Sequence, residues 1–222
     1  MRKLAWLLLV VAVVLPACHH ERIGGVKGSG KRETQKRQVA AFTQISTEGA
    51  FHIEVTCQKE LSLEVEADDN VLPLVTTEVS NNVLRLSNTS GYSANEPVKI
   101  KISVPNLEVL SVDGAGNIDI KGMKNESFKV DADGAASIKV SGSTKLVDIH
   151  TNGAGRINTN NLRAARGVVN SNGAAEVEVD VADQLDVTVN GPSSVYYSGN
   201  PVVNKNVNGP GKVERRGSSE GA

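Results

Sequence analysis

A repeat with a period of 18 to 20 residues limits the fold of this chain more than any other feature of the sequence. Six segments carry Asp or Asn, then Gly, then Ala or Pro, with Ile or Val three residues further on. Their glycines are Gly114, Gly134, Gly153, Gly173, Gly191 and Gly209, which are 20, 19, 20, 18 and 18 residues apart. Repeats of this length stack on their neighbours, so the sequence predicts a solenoid.

Apolar residues on both sides of each glycine alternate with polar ones. Phe128 and Val130 precede one glycine, and Ile138 and Val140 follow it. This period of two residues is typical of strands with one buried face. We therefore predict an all-β fold, a single-stranded right-handed parallel β-helix with about 18–20 residues per rung.

The Asp or Asn and the Gly of each repeat are expected to form a structural ladder of turns. Glycine tolerates a positive φ, and stacked Asp and Asn side chains can hydrogen-bond from rung to rung. The ladder comprises Asp113, Gly114, Asp133, Gly134, Asn152, Gly153, Asn172, Gly173, Asn190, Gly191, Asn208 and Gly209. A less favoured alternative is that Asp113, Asp131 and Asp133 bind calcium.

The first residues have the composition of an export signal. Arg2 and Lys3 precede an apolar run, Leu4–Leu15, which is short for a transmembrane helix of about 20 residues. Leu15-Pro16-Ala17-Cys18 resembles the lipobox of bacterial lipoproteins. That resemblance implies cleavage before Cys18 and a lipid anchor on its thiol, with membrane attachment as the consequence. His19, where an aspartate would imply inner-membrane retention, favours the outer membrane, with the protein on its periplasmic or surface face.

Four segments are predicted. Residues 1–17 are the signal peptide, 18–37 a lipidated, glycine-rich flexible tether, 38–217 the β-helical domain and 218–222 a disordered tail. In the domain's N-terminal half, Glu48-Gly49-Ala50-Phe51 looks like an earlier copy of the turn. We expect that half to begin the solenoid with longer connections.

Charge and composition exclude several functions. The formal net charge of −1 becomes −3 once Arg2 and Lys3 are removed, so no nucleic-acid partner is expected. Cys57 would be the only cysteine left without a lipid, which excludes an internal disulfide. No cofactor or metal ion is expected, because the histidines have no ligand spacing and His52 and His150 fall at solvent-facing strand positions.

Two further patterns have weak functional interpretations. Gly25–Lys31 has the glycine and lysine spacing of a phosphate-binding loop, but Arg32 stands where Ser or Thr is required. Arg163 and Arg166 could act as a basic cluster in a polysaccharide-cleaving β-helix. No acids are paired with them by spacing and aromatic residues are scarce, so an enzyme is the minority hypothesis.

Several stretches together resemble the putative auto-transporter adhesin head GIN domain family. They are Ala41–Ser46, Glu48–Phe51, Ala67–Leu74, Gly155–Asn158 and the Asp/Asn-Gly-Ala repeats. The resemblance implies a β-helical, non-catalytic domain that binds surfaces or polysaccharides. We therefore expect a membrane-anchored, non-catalytic solenoid lipoprotein whose partner is a polysaccharide or another surface or envelope protein. The alternatives are a polysaccharide-acting enzyme and an envelope-structural or signalling-associated component.

Overall fold

The computed structural model describes residues 25–216, which form fifteen strands and one short 3₁₀ helix. The strands of the N-terminal part are β1 (Val26–Lys27), β2 (Arg32–Lys36), β3 (Gln44–Cys57), β4 (Ser62–Asp68), β5 (Val75–Ser80), β6 (Val83–Asn88), β7 (Tyr92–Ser93) and β8 (Val98–Val104). Those of the repeats are β9 (Val109–Gly134), β10 (Ser137–Thr151), β11 (Arg156–Ser171), β12 (Glu176–Asn190), β13 (Ser194–Ser198), β14 (Val202–Asn208) and β15 (Lys212–Arg215). The 3₁₀ helix is Leu72–Leu74. The all-β prediction is confirmed.

Successive repeats pair in parallel, each displaced by one period. Ile118 lies opposite Ile138, which lies opposite Ile157, and the same column continues through Val177, Val195 and Val213. A second column runs along the other half of each repeat, through Phe128, Val147, Gly167, Leu185 and Val203. Paired residues on neighbouring strands of this large mixed sheet are therefore one sequence period apart.

The alternating apolar residues form one continuous core. Phe128, Val130, Ile138 and Ile149 are each fully buried, and they belong to a single hydrophobic cluster that extends from Phe42 to Val195. β-Branched residues predominate in this cluster, as expected for side chains that pack across pleated strands. Most polar residues of the repeats lie on the outer surface, although Thr151, Thr159, Ser171 and Ser193 are buried with the core.

The repeat glycines are required chiefly by the close approach of stacked backbones. Gly134 has a φ of +149°, and a Cβ there would clash with the carbonyl oxygen of Gly114. At Gly153 the backbone lies outside the left-handed region, yet a Cβ would clash with the carbonyl oxygen of Gly134. A positive φ is thus present at Gly134 but not at Gly153, whereas both glycines are crowded by the backbone of the preceding turn.

The N-terminal half is only partly a continuation of the repeats. β3 pairs in parallel with β9, and Gly49 lies opposite Gly114, so the earlier copy of the turn is present. β6 and β8 pair in parallel with the two halves of β3. Beyond them, β4 pairs with β8, β5 with β6 and β2 with β4, all antiparallel. Antiparallel strands therefore cover this end of the stack.

Part of the segment assigned to the flexible tether is folded. β1 pairs with β7 and β2 pairs with β4, so much of residues 25–37 belongs to sheet structure. Its glycines permit contact: a Cβ on Gly28 would clash with the Asp68 carboxylate, and one on Gly25 would meet the Gly91 carbonyl oxygen. The glycine-rich composition predicts a flexible segment, whereas in the structure these glycines allow close packing.

The predicted signal peptide, Cys18, His19 and His20 and the tail at 218–222 lie outside the described residues. Within residues 25–216, no helix is both long and apolar enough to cross a membrane.

Candidate functional site

The predicted turn residues lie along one edge of the stack, and hydrogen bonds join five of their side chains. The Nδ2 of Asn152 donates to Oδ1 of Asp133 at 2.7 Å, and that of Asn172 donates to Oδ1 of Asn152 at 3.0 Å. Asn190 donates to Asn172 at 2.8 Å, and Asn208 donates to Asn190 at 2.9 Å. Every amide donates toward the N-terminal end, so this amide ladder has a direction.

Acidic side chains continue the same edge below the amide ladder. Glu48 lies opposite Asp113, and a shallow cavity of about 340 Å³ is lined by both of them together with Asp131, Asp133 and His150. Lys129 pairs with Asp131 at 3.0 Å. Among residues 25–216, no group of three or more His, Cys, Asp or Glu side chains is arranged to hold a metal ion. The calcium alternative receives no support from this geometry.

Both strand histidines have carboxylate neighbours. His52 Nε2 lies 3.4 Å from Glu54 Oε1, and His150 Nδ1 lies 3.3 Å from Asp148 Oδ1. The Nδ2 of Asn170 contacts His150 Nε2 at 3.1 Å. These outward positions match the sequence expectation, but the histidines are half-buried members of polar clusters and are not freely solvated.

The loop-like glycine segment is bound by the turn at Asp68–Asn70. The backbone N–H of Ser29 donates to Asn70 Oδ1 at 3.0 Å, and its hydroxyl donates to Asp69 at 2.6 Å. The N–H of Gly30 donates to Oδ2 of the buried Asp68 at 3.0 Å. Carboxylate and amide oxygens of this turn therefore occupy the donors that a phosphate would need, which argues against a phosphate-binding loop.

The C-terminal repeats enclose a polar groove of about 770 Å³, which we call the C-terminal groove. Its polar lining includes Asn160, Asn161, Arg163, Asp180, Asn200 and Arg215. Arg163 lies opposite Asp180, which lies opposite Ser198, so residues from successive strands form its floor. Arg166 is not among the lining residues; it lies opposite Leu146 and Gln184. The structure thus does not unite Arg163 and Arg166 in one site.

Glu178 organises one wall of the C-terminal groove. Its side chain is 11 % exposed, and its Oε2 accepts from Nδ2 of Asn160 at 2.6 Å and of Asn158 at 2.9 Å. Its Oε1 accepts from Nη1 of Arg216 at 2.5 Å. The charge of Glu178 is therefore compensated within the protein, and its oxygens already have donors.

Tyr196 lies beside this wall, with the Arg216 guanidinium 3.5 Å from the centre of its ring. The Lys212 ammonium is 5.0 Å from the same ring. Lys212 and, to a lesser extent, Arg216 hold the pKa of the Tyr196 hydroxyl below its ordinary value. The cation–π stack fixes Arg216 in place above Glu178.

Cys57 is the free cysteine within the described part of the chain, and it is buried at 3 % exposure. Burial raises the pKa of its thiol to about 11. A nucleophilic cysteine needs the thiolate form and access to its substrate, and Cys57 has neither at neutral pH. Its role is to fill the core.

The C-terminal groove was not identified from the sequence, although a signal for it exists. One outward column runs along the groove, at steps of 20, 18 and 18 residues, through Asn158, Glu178, Tyr196 and Glu214, and Glu178 is the member that lines the groove. Writing the repeats beneath one another would have shown this polar column. It would not have shown that Arg216, which follows β15, reaches across β13 to Glu178 on β12.

Solved structures of low sequence identity share the fold. A putative adhesin from Bacteroides fragilis is 22% identical, with a TM-score of 0.69 over 87% of this chain and 100% of that one. A putative adhesin from Parabacteroides merdae is 19% identical, with a TM-score of 0.55 over 87% and 99%. A putative lipid binding protein from Parabacteroides distasonis is 18% identical, with a TM-score of 0.50 over 86% and 99%. No curated protein matches the chain.

A family model supplies the classification. The model described as "Putative auto-transporter adhesin, head GIN domain" matches residues 41–201, from just before β3 into the last repeats. This range includes the Asp68–Asn70 turn and most of the amide ladder, and it confirms the resemblance found in the sequence. The chain belongs to the family of putative auto-transporter adhesins with a head GIN domain.

Proposed function

We propose that this chain is a lipid-anchored, non-catalytic head that binds polysaccharide or another component of a cell surface. The observation that carries the proposal is the C-terminal groove, in which amide, carboxylate and guanidinium groups line a continuous polar surface. Such groups donate and accept the hydrogen bonds that sugar hydroxyls require. Family membership supports an adhesion-like role.

The absence of a catalytic role is part of the proposal. The thiol of Cys57 is buried, and Glu178 already accepts three side-chain hydrogen bonds. A glycosidase of the usual type needs two carboxyl groups free to contact the scissile bond. Repeated weak contacts along a rigid stack would give adhesion through avidity.

We further propose that the repeats wind as a right-handed parallel β-helix. The support is the parallel register of β9 through β15 at displacements of 17 to 20 residues. Parallel strands joined by a crossover are nearly always connected in the right-handed sense. An experimental electron-density map of the full chain would test the handedness, and a left-handed coil would contradict it.

Anchoring depends on Cys18 in this proposal. Cells that express the full chain and are fed labelled palmitate should incorporate label, and the Cys18→Ala variant should not. Membrane fractionation should place the labelled chain in the outer membrane, and protease treatment of intact cells would distinguish the periplasmic from the surface face. Equal labelling of both variants would contradict lipidation at Cys18.

Binding is tested with a panel of glycans and of isolated envelope fractions. The full chain, purified in mild detergent, should bind at least one polysaccharide saturably and without producing new reducing ends. Turnover of any polysaccharide would contradict the non-catalytic assignment. Saturable binding only to a protein of the envelope fraction would support the envelope-structural alternative in place of polysaccharide binding.

A further inference from the structure

Two guanidinium groups in the C-terminal groove make no ion pair with the described residues, unlike the other basic side chains around them. Arg156 pairs with Glu176 at 3.2 Å, Arg216 with Glu178 at 2.5 Å and Lys212 with Glu214 at 3.0 Å. Arg163 and Arg215 are exposed, line the groove, and make no ion pair within 4.0 Å to any other described residue. Their charges remain available to a ligand.

The carboxylates of the groove offset this positive charge only in part. Glu178 is compensated by Arg216 and saturated by Asn158 and Asn160. Asp180 accepts a hydrogen bond from the Ser198 hydroxyl at 3.1 Å. Two unpaired guanidinium groups therefore face one remaining carboxylate, in a chain whose overall charge is negative.

The separation of the two arginines indicates an extended ligand. Arg163 lies on β11 and Arg215 on β15, and the order of pairing between them is β11, β12, β13 and β15. Three steps at about 4.8 Å between strands place their backbones on the order of 14 Å apart along the stack. A single small anion does not span that distance, whereas a chain that carries several anionic groups does.

We propose that the C-terminal groove binds a saccharide chain bearing carboxylate or sulfate groups, with Arg163 and Arg215 as the residues that contact those groups. This inference rests on the proposed binding function and specifies its ligand. The planar guanidinium presents parallel N–H donors that match a carboxylate or sulfate in bidentate fashion. The Asn161 and Asn200 amides line the same groove and supply donors and acceptors for neutral hydroxyl groups.

The test compares three polysaccharides: polygalacturonate, dextran sulfate and neutral dextran. The full chain in mild detergent is assayed by affinity electrophoresis and titration calorimetry, beside Arg163→Gln, Arg215→Gln and the double variant. Arg166→Gln is the matched control, because Arg166 lies on β11 outside the groove lining. Circular dichroism and thermal unfolding confirm that each variant is folded.

The wild-type chain should bind at least one anionic polymer. Its affinity for neutral dextran should be at least tenfold lower than its affinity for that polymer. Each groove substitution should weaken anionic binding by about tenfold, as expected for one lost charge-assisted contact. The Arg166→Gln control should bind like the wild type. Added salt should weaken binding by the wild type more than binding by the double variant.

Four outcomes would overturn the inference. Equal binding of neutral and anionic polymers would leave the proposed adhesion function standing and remove the anionic specificity. An equal loss of binding in Arg166→Gln and the groove variants would assign the effect to general surface charge. Displacement of the polymers by millimolar free sulfate, at constant ionic strength, would indicate a site for one small anion. Binding to no polysaccharide at all would reject both the ligand and the proposed polysaccharide-binding function.

Discussion

Gly134 shows how a single position is controlled by the strand beneath it. Its backbone has a φ of +149°, and a Cβ would enter the space of the Gly114 carbonyl oxygen. The N–H of Ala135 donates to that same oxygen at 2.9 Å, so the neighbouring turn cannot move away without losing a hydrogen bond. Both the dihedral angle and the contact therefore select glycine.

The substitution Gly134→Ala should lower the free energy of unfolding by about 1–3 kcal/mol, the range for an overpacked site. Urea denaturation followed by circular dichroism measures this change. Gly91→Ala is the matched control, since its Cβ would meet nothing closer than the Gly25 Cα at 3.9 Å and its φ is not positive. Equal destabilisation of the two variants would show that crowding at the stacked turn is not the cause.

Cys57 predicts a pH dependence of stability. Burial favours the neutral thiol and raises its pKa from 9.0 to about 11 in the folded chain. Between these values the unfolded chain binds fewer protons, so stability that is complete below pH 9 should decline as the pH rises to 11. The loss should reach about 2 kcal/mol at pH 11, where half of the folded thiol is ionised, and about 3 kcal/mol at higher pH, since each pKa unit between 9.0 and about 11 corresponds to about 1.4 kcal/mol.

The measurement is urea unfolding at several values between pH 8 and 11, for the wild type and for Cys57→Ala. Lysine and tyrosine titrations affect both proteins, so the difference between their slopes isolates the thiol. The Cys57→Ala curve should be flatter over this interval. Parallel curves would mean that the thiol is not responsible.

At the scale of elements, the amide ladder joins turns that are far apart in sequence. Asn172 occupies its middle, donating to Asn152 and accepting from Asn190. All three side chains are exposed, so each hydrogen bond exchanges partly with water and contributes about 0.5–1.5 kcal/mol. The amide ladder therefore fixes the alignment of turns more than it supplies overall stability.

The substitution Asn172→Ala removes two of these hydrogen bonds and should lower the free energy of unfolding by about 1–2 kcal/mol. Hydrogen exchange should show faster opening of the turns at Gly153, Gly173 and Gly191 than of the strand interiors. Asn206→Ala on β14 is the control, because Asn206 is exposed and makes no side-chain hydrogen bond to another described residue. A variant that exchanges like the wild type at all three turns would contradict the predicted role.

At the scale of the whole molecule, the sequence predicted the features that repeat. The parallel stack, the inward column of Ile138, Ile157 and Val177 and the position of the turns follow from a constant period. The N-terminal end was harder to predict, because antiparallel pairs such as β2 with β4 have no period to reveal them. The sequence does not reveal the role of Gly28, because glycine serves both flexibility and close approach, and only the contact with Asp68 distinguishes the two.

A stack in which each strand contacts only its neighbours should tolerate the loss of a whole repeat. Deleting residues 154–173 joins Gly153 to Ala174 and brings β12 directly onto β10 with its inward positions in phase. This shorter chain should remain folded and unfold cooperatively, with a lower urea m-value because less surface is buried. Circular dichroism and urea titration provide the test.

Deletion of residues 154–164 alone is the control, since it removes about half a period and its odd length places the outward residues Val168 and Asn170 at inward positions. That variant should lose the cooperative transition. If both deletions unfold the protein, the repeats are not independent units; if both are tolerated, the register of the inward columns does not determine the fold.

The direction of the amide ladder also has a consequence for how such a chain can lengthen. An ionised carboxylate accepts hydrogen bonds but has no N–H to donate. Asp133 therefore accepts from Asn152 and ends the series of amide hydrogen bonds. An Asn-bearing copy duplicated between Asn152 and Asn208 would find an acceptor below it and a donor above it. An Asp-bearing copy inserted there would interrupt the series. A repeat can therefore be duplicated without breaking the amide ladder only on the C-terminal side of Asp133, where Asn replaces Asp at the turns.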